Sequence, residues 1–441
     1  MTGIFKAYDI RGIVPDQITE EIASDIGKAF GSFRNGKIYV GCDARETSES
    51  IKRAFIDGLI STGCHVVDVG LVTTPLMIFC SGQYDSCAVS ITASHNPKNY
   101  NGFKVFDKGA IPFSYETGIG EIENIFKSKN FKVGEGNVEV FNPREDYTTH
   151  LIGSLGLAGA KKKIVLDCFN GGGSEINPFV FEKLGLEVLK IRCDGDGNFP
   201  ESGPDPSKEE NLEELKQKVI DVGADLGIAV DGDGDRLSVV DEMGNIIKPQ
   251  DIFCLLVKNA KQPNLKVVYD ILTSNEVSDV IKETGGEPIV SRVGHTYISQ
   301  KAMKEKAQLS GELSGHYYFP ETFYGDDALF AGMKLIQYLM KEGKPLSECL
   351  KGLPVYFSNN KRVKVSGDQH QIVGQLVNEF SEKYDSVDTL DGVKVNFDNG
   401  WMLFRASNTG PQIVIAYESK NKEEFEKISG TVNKIVERLR V

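Results

Sequence analysis

One pattern recurs three times in this sequence and restricts its fold more than any other feature. A short apolar run ends in Asp, a polar loop and a helical stretch follow, and Gly precedes a second apolar run. The first copy is Ile38-Tyr39-Val40-Gly41-Cys42-Asp43, with Gly63 and Val66-Val67-Asp68-Val69 behind it. The second is Ile164-Val165-Leu166-Asp167, then Gly185 and Val188-Leu189-Lys190-Ile191. The third is Val267-Val268-Tyr269-Asp270, then Gly285-Gly286 and Pro288-Ile289-Val290. The intervening stretches carry apolar residues at helical spacing, as at Ile51, Ala54, Phe55 and Leu59. Short β-branched runs alternating with helices predict βαβ units and mostly parallel sheets. Copies about 100–125 residues apart are too widely spaced for a solenoid, whose period is roughly 20–50 residues. They read as three related α/β domains.

The chain end differs. From Phe357 onward come short alternating segments, Arg362-Val363-Lys364-Val365, Val393-Lys394-Val395-Asn396-Phe397 and Gln412-Ile413-Val414-Ile415-Ala416-Tyr417. Helical stretches near Gln369–Tyr384 and Lys422–Leu439 accompany them. This alternation suits an antiparallel sheet with one wet face, hence a smaller α+β domain. The expected domains are 1–142, 143–246, 247–356 and 357–441.

The formal net charge of −13 argues against a nucleic-acid partner, which requires a basic stripe. An anionic small substrate needs only a few Lys and Arg focused into one cleft. No run approaches the roughly 18 apolar residues of a membrane span, and the start lacks a signal-peptide layout, so the expected location is the cytoplasm. Eight scattered cysteines without a Cys-x-x-Cys pair are expected to be buried, reduced thiols.

Five segments carry chemistry. In Ile91-Thr92-Ala93-Ser94-His95-Asn96-Pro97, an apolar run delivers small and polar residues into a loop shaped by Asn96-Pro97 and Asn101-Gly102. Ser94 beside His95, with Lys104 ten residues on, fits an activated nucleophile; the competing explanation is a helix-capping turn. In Asp231-Gly232-Asp233-Gly234-Asp235-Arg236, three alternating carboxylates would repel strongly unless a hard cation such as Mg²⁺ sits among them. An EF-hand would share the acidic spacing and Glu242 at position twelve. It requires Gly where Arg236 stands, and helices where the flanks read as strands. Asp194-Gly195-Asp196-Gly197-Asn198 reads as a turn-rich loop. Gly311-Glu312-Leu313-Ser314-Gly315-His316 alternates carboxylate, hydroxyl and imidazole, groups suited to vicinal sugar hydroxyls. Arg405-Ala406-Ser407-Asn408-Thr409-Gly410 offers an Arg fork and several donors for a phosphate. Arg11 lies in Tyr8-Asp9-Ile10-Arg11-Gly12 near the amino terminus, where a surface ion pair is the commoner fate.

In this order the segments resemble the α-D-phosphohexomutase superfamily, in particular its phosphomannomutase/phosphoglucomutase branch. The matching motifs span positions 8 to 409. The resemblance implies a heart-shaped α/β enzyme of four domains, three related α/β domains plus a C-terminal α+β domain around a central cleft, with one signature loop each. It implies that Ser94 carries the transferable phosphate and that Asp231, Asp233 and Asp235 hold Mg²⁺ together with a phosphoserine oxygen. Glu312 and Ser314 would read sugar hydroxyls, while Arg405, Ser407, Asn408 and Thr409 grip the non-reacting phosphate. Arg11, Lys104 and Arg236 are candidates around the transferring phosphoryl group, and Lys104 and His95 are candidate proton acceptors. Tyr8, His295 and His316 are further substrate-site candidates.

The implied activity is reversible interconversion of hexose 6-phosphate and hexose 1-phosphate through a phosphoserine enzyme and a hexose 1,6-bisphosphate. Its substrate is a phosphorylated hexose, and the expected assembly is a monomer or homodimer. A phosphoglucosamine mutase and a metal-dependent sugar phosphatase are the alternatives. Ser407-Asn408-Thr409 stands where the phosphoglucosamine branch usually has Ser-Gly-Thr, which favours mannose or glucose phosphates. One departure is Leu272, where related dual-specificity enzymes carry Lys; Arg292, or Lys248 ahead of the third domain, is expected to compensate.

Overall fold

The computed structural model describes residues 3–156, 159, 161–199, 203–407 and 411–439. The recurring pattern becomes one βαβαββ unit built three times. Its first copy has strands Lys37–Cys42, His65–Leu71, Cys87–Ile91 and Tyr100–Asp107. The second has Lys163–Asp167, Glu187–Ile191, Leu226–Val230 and Leu237–Asp241, and the third has Lys266–Asp270, Glu287–Ser291, Leu309–Gly311 and Tyr317–Tyr318. In each sheet the strands lie in the order second, first, third, fourth. The first three strands run parallel, and the fourth pairs antiparallel with the third.

Parallel neighbours need crossovers. Helices Ser48–Ile60 and Thr74–Gln83 provide them in the first unit, Ile176–Lys183 and Glu213–Val222 in the second, and Asn275–Glu283 and His295–Glu305 in the third. Their starts are written locally: Thr73 accepts from the Leu76 N–H with Pro75 in the first turn, and Ser274 accepts from the Glu276 N–H. Cys87–Ile91 and Leu226–Val230 are buried at every position, as strands covered on both faces must be. Each unit thereby puts one loop, between its third and fourth strands, at the same place: residues 92–99, 231–236 and 312–316.

One continuous apolar core runs through the three units, from Tyr39 and Leu76 through Val230 to Phe330 and Leu339, and each unit adds a core of its own on the other side of its sheet, around Phe55 and Phe103, Val165 and Leu215, and Val268 and Ile298. The fourth sheet is antiparallel and has its own core of Val363, Phe380, Phe404, Ile413 and Val432. Its helices are Gln369–Lys383 and Lys422–Leu439. The strand Gly400–Ala406 departs from the expected wet face. Met402 and Phe404 point into the fourth core, while Trp401 and Leu403 pack on Ile271 and Leu272 of the third unit. Both faces are covered, so no polar residue alternates there.

Candidate active site

Ser94 leaves the strand Cys87–Ile91 with φ of 53°, a left-handed conformation that an L residue adopts only at a cost of about 1–2 kcal/mol. Its surroundings hold it there. Its N–H donates to Thr92 Oγ1 at 2.8 Å, and Thr92 donates in turn to Asp43 at 2.7 Å. Arg45, fully buried, donates to the Asp43 carboxylate at 3.0 Å and to the carbonyls of Ser94, Asn96 and Pro97 at 2.7 Å and Tyr100 at 3.1 Å. One guanidinium thus fastens the whole Ser94 loop.

Ser94 is 2% exposed and its hydroxyl donates to Asp231 Oδ2 at 2.8 Å; His95 Nδ1 lies 3.1 Å from Ser94 Oγ. The Asp loop is closed by its own first residue. Asp231 Oδ1 accepts the N–H groups of Gly234, Asp235 and Arg236 at 3.0–3.1 Å. Gly234 has φ of 80°, and a Cβ there would lie 2.8 Å from the Thr73 methyl, so the turn requires glycine. The flanking strands form an antiparallel hairpin, the opposite of an EF-hand.

All three carboxylates are buried, and one oxygen of each lies within 4.8 Å of the others. Oδ1 of Asp233 and Oδ1 of Asp235 are buried without a hydrogen-bond partner among the described residues. Lys104, across the sheet from Ser90, reaches Asp233 Oδ2 at 2.7 Å and pairs with Asp235. Thr74 donates to the same Asp233 oxygen at 2.7 Å. Burial, then Asp235 and Asp233, pushes Asp231 well above the usual carboxylate range. Asp235 goes the other way, because Lys104, His316 and Arg236 outweigh its burial. Burial opposes the charge on Lys104, yet Asp233 and Asp235 hold its ammonium well above the ordinary lysine value. Burial, with Arg236 and Arg11, holds His95 neutral well below the ordinary histidine value. A hard divalent cation fits this donor set: oxygen ligands only, two of them unpartnered.

The remaining predicted residues fall into two groups. Arg11 pairs with Asp9 at 2.6 Å and donates to Asn96 at 3.1 Å, which ties it to the nucleophile loop. Arg236 Nε donates to His316 Nε2 at 3.0 Å, and His316 Nδ1 lies 2.8 Å from Asp326. The carboxylates of Asp235 and Asp326 outweigh burial and raise His316 to about 9. The hydrogen bond from Arg236 requires an unprotonated Nε2 and so opposes that rise. Glu312 is buried, accepts from the Tyr318 hydroxyl, and is raised to about 7 by burial. Ser314 lies at 3.5 Å from its second oxygen. His295 meets the Tyr8 ring edge-on at 5.4 Å and is depressed to about 4, chiefly by burial.

The second group is in the fourth domain. Arg405 is buried and donates to Asp391 at 3.2 Å, while Asp391 also accepts the Val293 N–H at 3.0 Å. Asp391 therefore links this arginine to the loop before His295. The Ser407 N–H bonds the Gln412 carbonyl, and Asn408 and Thr409 lie outside the described residues. Leu272 packs against the fourth domain, Arg292 covers the Tyr297 ring at 4.5 Å, and Lys248 is exposed at a helix start. Sequence reasoning missed Arg45, Thr74, Asp326 and Asp391. Arg45 follows Asp43 at the end of the first recurring run, a signal available in sequence; the other three carry none.

All four domain models of one family match the chain. The three described as phosphoglucomutase/phosphomannomutase alpha/beta/alpha domains I, II and III cover residues 2–133, 145–244 and 248–356, and the C-terminal domain covers 360–435. A phosphomannomutase/phosphoglucomutase of Pseudomonas syringae pv. tomato is 35% identical over 437 residues, 97% of this chain and 93% of that protein. A probable phosphoglucosamine mutase of Methanococcoides burtonii is 35% identical over 422 residues, 95% of each. A phosphoglucomutase/phosphomannomutase family protein of Burkholderia thailandensis has a solved structure that superposes with a TM-score of 0.89 at 31% identity, covering 99% of this chain and 97% of that one. The chain belongs to the phosphoglucomutase/phosphomannomutase family of the α-D-phosphohexomutase superfamily, enzymes of the isomerase class that transfer phosphoryl groups.

Proposed function

We propose that this chain interconverts the 6- and 1-phosphates of mannose and glucose, with Ser94 as the phosphoryl carrier. The observation that supports this most is the buried Ser94 hydroxyl held on Asp231 inside a ring of cations, Arg11, Lys104 and Arg236. Phosphorylated Ser94 passes its phosphoryl group to the free hydroxyl of the hexose monophosphate, giving a 1,6-bisphosphate. The bisphosphate turns around, and the opposite phosphate returns to Ser94. Asp231, Asp233 and Asp235 would hold Mg²⁺, which supplies charge neutralisation for the phosphoryl oxygens.

The chain's own groups do the rest. Arg45 keeps Ser94 aimed at Asp231, and the three cations neutralise the transferring group. Lys104, held as an ammonium by Asp233 and Asp235, is suited to offset the charge on the transferring phosphoryl oxygens. His95, neutral and 3.1 Å from Ser94 Oγ, is suited to take the proton of the attacking hydroxyl, the sugar's in one half-reaction and that of Ser94 in the other, and to return it to the oxygen that the phosphoryl group leaves. Glu312 and Ser314, with Tyr8, His295 and His316 nearby, form the sugar-reading side. Arg405, Ser407, Asn408 and Thr409 form the clamp for the phosphate that does not react. The division at 142, 246 and 356 belongs to the same proposal, supported by one sheet per domain, although the short strand Ile246–Ile247 straddles the second boundary.

The Methanococcoides relative favours a second reading, glucosamine phosphate as substrate. Mannose, glucose and glucosamine phosphates, each assayed with Mg²⁺ and catalytic 1,6-bisphosphate, separate the two. Conversion only of glucosamine phosphate overturns the first reading, and phosphate release in step with substrate loss indicates a phosphatase. Ser94→Ala is expected to remain folded and lose at least about 10³-fold in turnover. Near-normal turnover in that variant would sink the carrier assignment.

A further inference from the structure

Two cysteines that have no part in the proposed reaction lie against each other. Cys168 follows the strand Lys163–Asp167, Cys193 follows Glu187–Ile191, and these strands are parallel neighbours. Their sulfurs are 2.9 Å apart, with the Cys193 thiol donating to Cys168. Cys168 is buried and Cys193 is partly buried, which makes Cys193 the more accessible of the two to an oxidant in solvent. Among the described residues, no other cysteine makes a sulfur–sulfur hydrogen bond. A disulfide needs about 2.05 Å, so the sulfurs have less than about 1 Å to close.

We propose that Cys168 and Cys193 form a reversible redox modification site, oxidised to a disulfide by a peroxide. The Cys193 thiolate attacks the peroxide O–O bond and becomes a sulfenic acid as one oxygen leaves as alkoxide or hydroxide. Cys168, giving up its proton, attacks that sulfur and expels hydroxide, which takes up a proton as water. Two thiols lose two electrons, the peroxide gains them, and a thiol reductant reverses the change.

The two loops that carry these sulfurs brace the catalytic loops. Asn170 donates to the Asp194 carbonyl at 2.8 Å and accepts the Asp196 N–H at 3.0 Å, which stitches the loops to each other. On one side the Gly172 N–H donates to the Gly232 carbonyl, inside the Asp loop, at 2.8 Å. On the other, the Phe199 ring lies 5.1 Å from the Arg45 guanidinium, and Asn198 donates to Glu46 at 2.6 Å. Drawing the sulfurs together shifts both braces. Displacements approaching 1 Å at reacting groups cost up to about 10²-fold in rate, so a turnover loss on the order of ten-fold is expected.

The cross-link does not depend on the proposed reaction; its effect on turnover does. The test treats the full-length protein with hydrogen peroxide, then measures thiols after unfolding, a non-reduced peptide digest, and hexose phosphate conversion. The expected result is a loss of two of the eight thiols, a linked peptide joining Cys168 and Cys193, and reduced turnover restored by dithiothreitol. Cys193→Ser and Cys193→Ala should each keep full basal turnover and form no link. In Cys168→Ala, dimedone should label Cys193. Absence of the linked peptide, or a link that leaves turnover unchanged, would overturn the inference. Reduced protein with no conversion of any hexose phosphate would instead overturn the functional reading, while the digest still decides the cross-link.

Discussion

The loops at 92–99 and 231–236 close the same connection of the same βαβαββ unit, yet they are held in opposite ways. The Asp loop is fastened from within, because Asp231 accepts three N–H groups of its own turn. The Ser loop is fastened from outside, because three of its carbonyls and that of Tyr100 just beyond it hang on Arg45, which belongs to the connection after another strand. A repeated unit fixes where a loop emerges and leaves its shape to be fixed by other means. Self-fastening suits a group of like charges that must stay together, and outside fastening suits a single residue held in a costly conformation.

Four variants test that contrast. Asp231→Asn has the largest expected effect, since it disturbs the loop closure, the Ser94 hydrogen bond and the metal site together. Turnover should fall on the order of 10²–10³-fold, with Mg²⁺ affinity falling in parallel by calorimetric titration. Arg45→Lys comes next: a point-charge ammonium cannot replace a fork that serves four carbonyls. Turnover should drop about 10–100-fold while Mg²⁺ affinity stays within about two-fold. An equal loss of metal affinity would break the distinction between inner and outer fastening.

Lys104→Met removes the ammonium that sits between Asp233 and Asp235. Without substrate, Mg²⁺ should bind about ten-fold more tightly, equivalent to about 1.4 kcal/mol, although turnover falls. Weaker binding would mean that the lysine does not compete with the cation.

The smallest effect is in the fourth domain. Lys394 is buried over the Trp401 ring, and burial lowers it to about 8. Its folded value lies below its unfolded one, so the folded state binds fewer protons between about pH 8 and 10.5. Stability should therefore rise through that window as the penalty disappears. Lys394→Met should stabilise the protein by on the order of 2 kcal/mol at pH 7 in urea titrations and flatten that rise. A destabilised variant would mean that the contacts of Lys394 with Trp401 and the Ile271 carbonyl outweigh its burial.

This contrast also explains what could be read from sequence. Asp231, Asp233 and Asp235 meet because they are neighbours along one turn, so spacing alone announces them. The three α/β units were visible because their core strands repeat a local pattern. Arg45 acts on residues some fifty positions away, and Asp326 approaches His316 across a folded loop; such partnerships exist only after the sheets form. The strand Gly400–Ala406 was obscured for a related reason, since a neighbouring domain makes its second face apolar. Cys168 and Cys193 read as two ordinary buried thiols until parallel pairing placed their strand ends side by side.

The separate core of the fourth domain has a kinetic consequence. The first three units are tied by one core, whereas the fourth meets the third across a seam of Trp401, Leu403 and their apolar partners with a few polar contacts, Asp391 to the Val293 N–H, Glu418 to the Asn275 N–H and Lys394 to the Ile271 carbonyl. That seam sets how readily the fourth domain would part from the third, and Ile271 and Leu272 are the third domain's apolar share of it. Shaving Leu272 to alanine would then shorten the dwell time of the bound bisphosphate, letting it escape before its second transfer, while leaving the chemistry at Ser94 untouched.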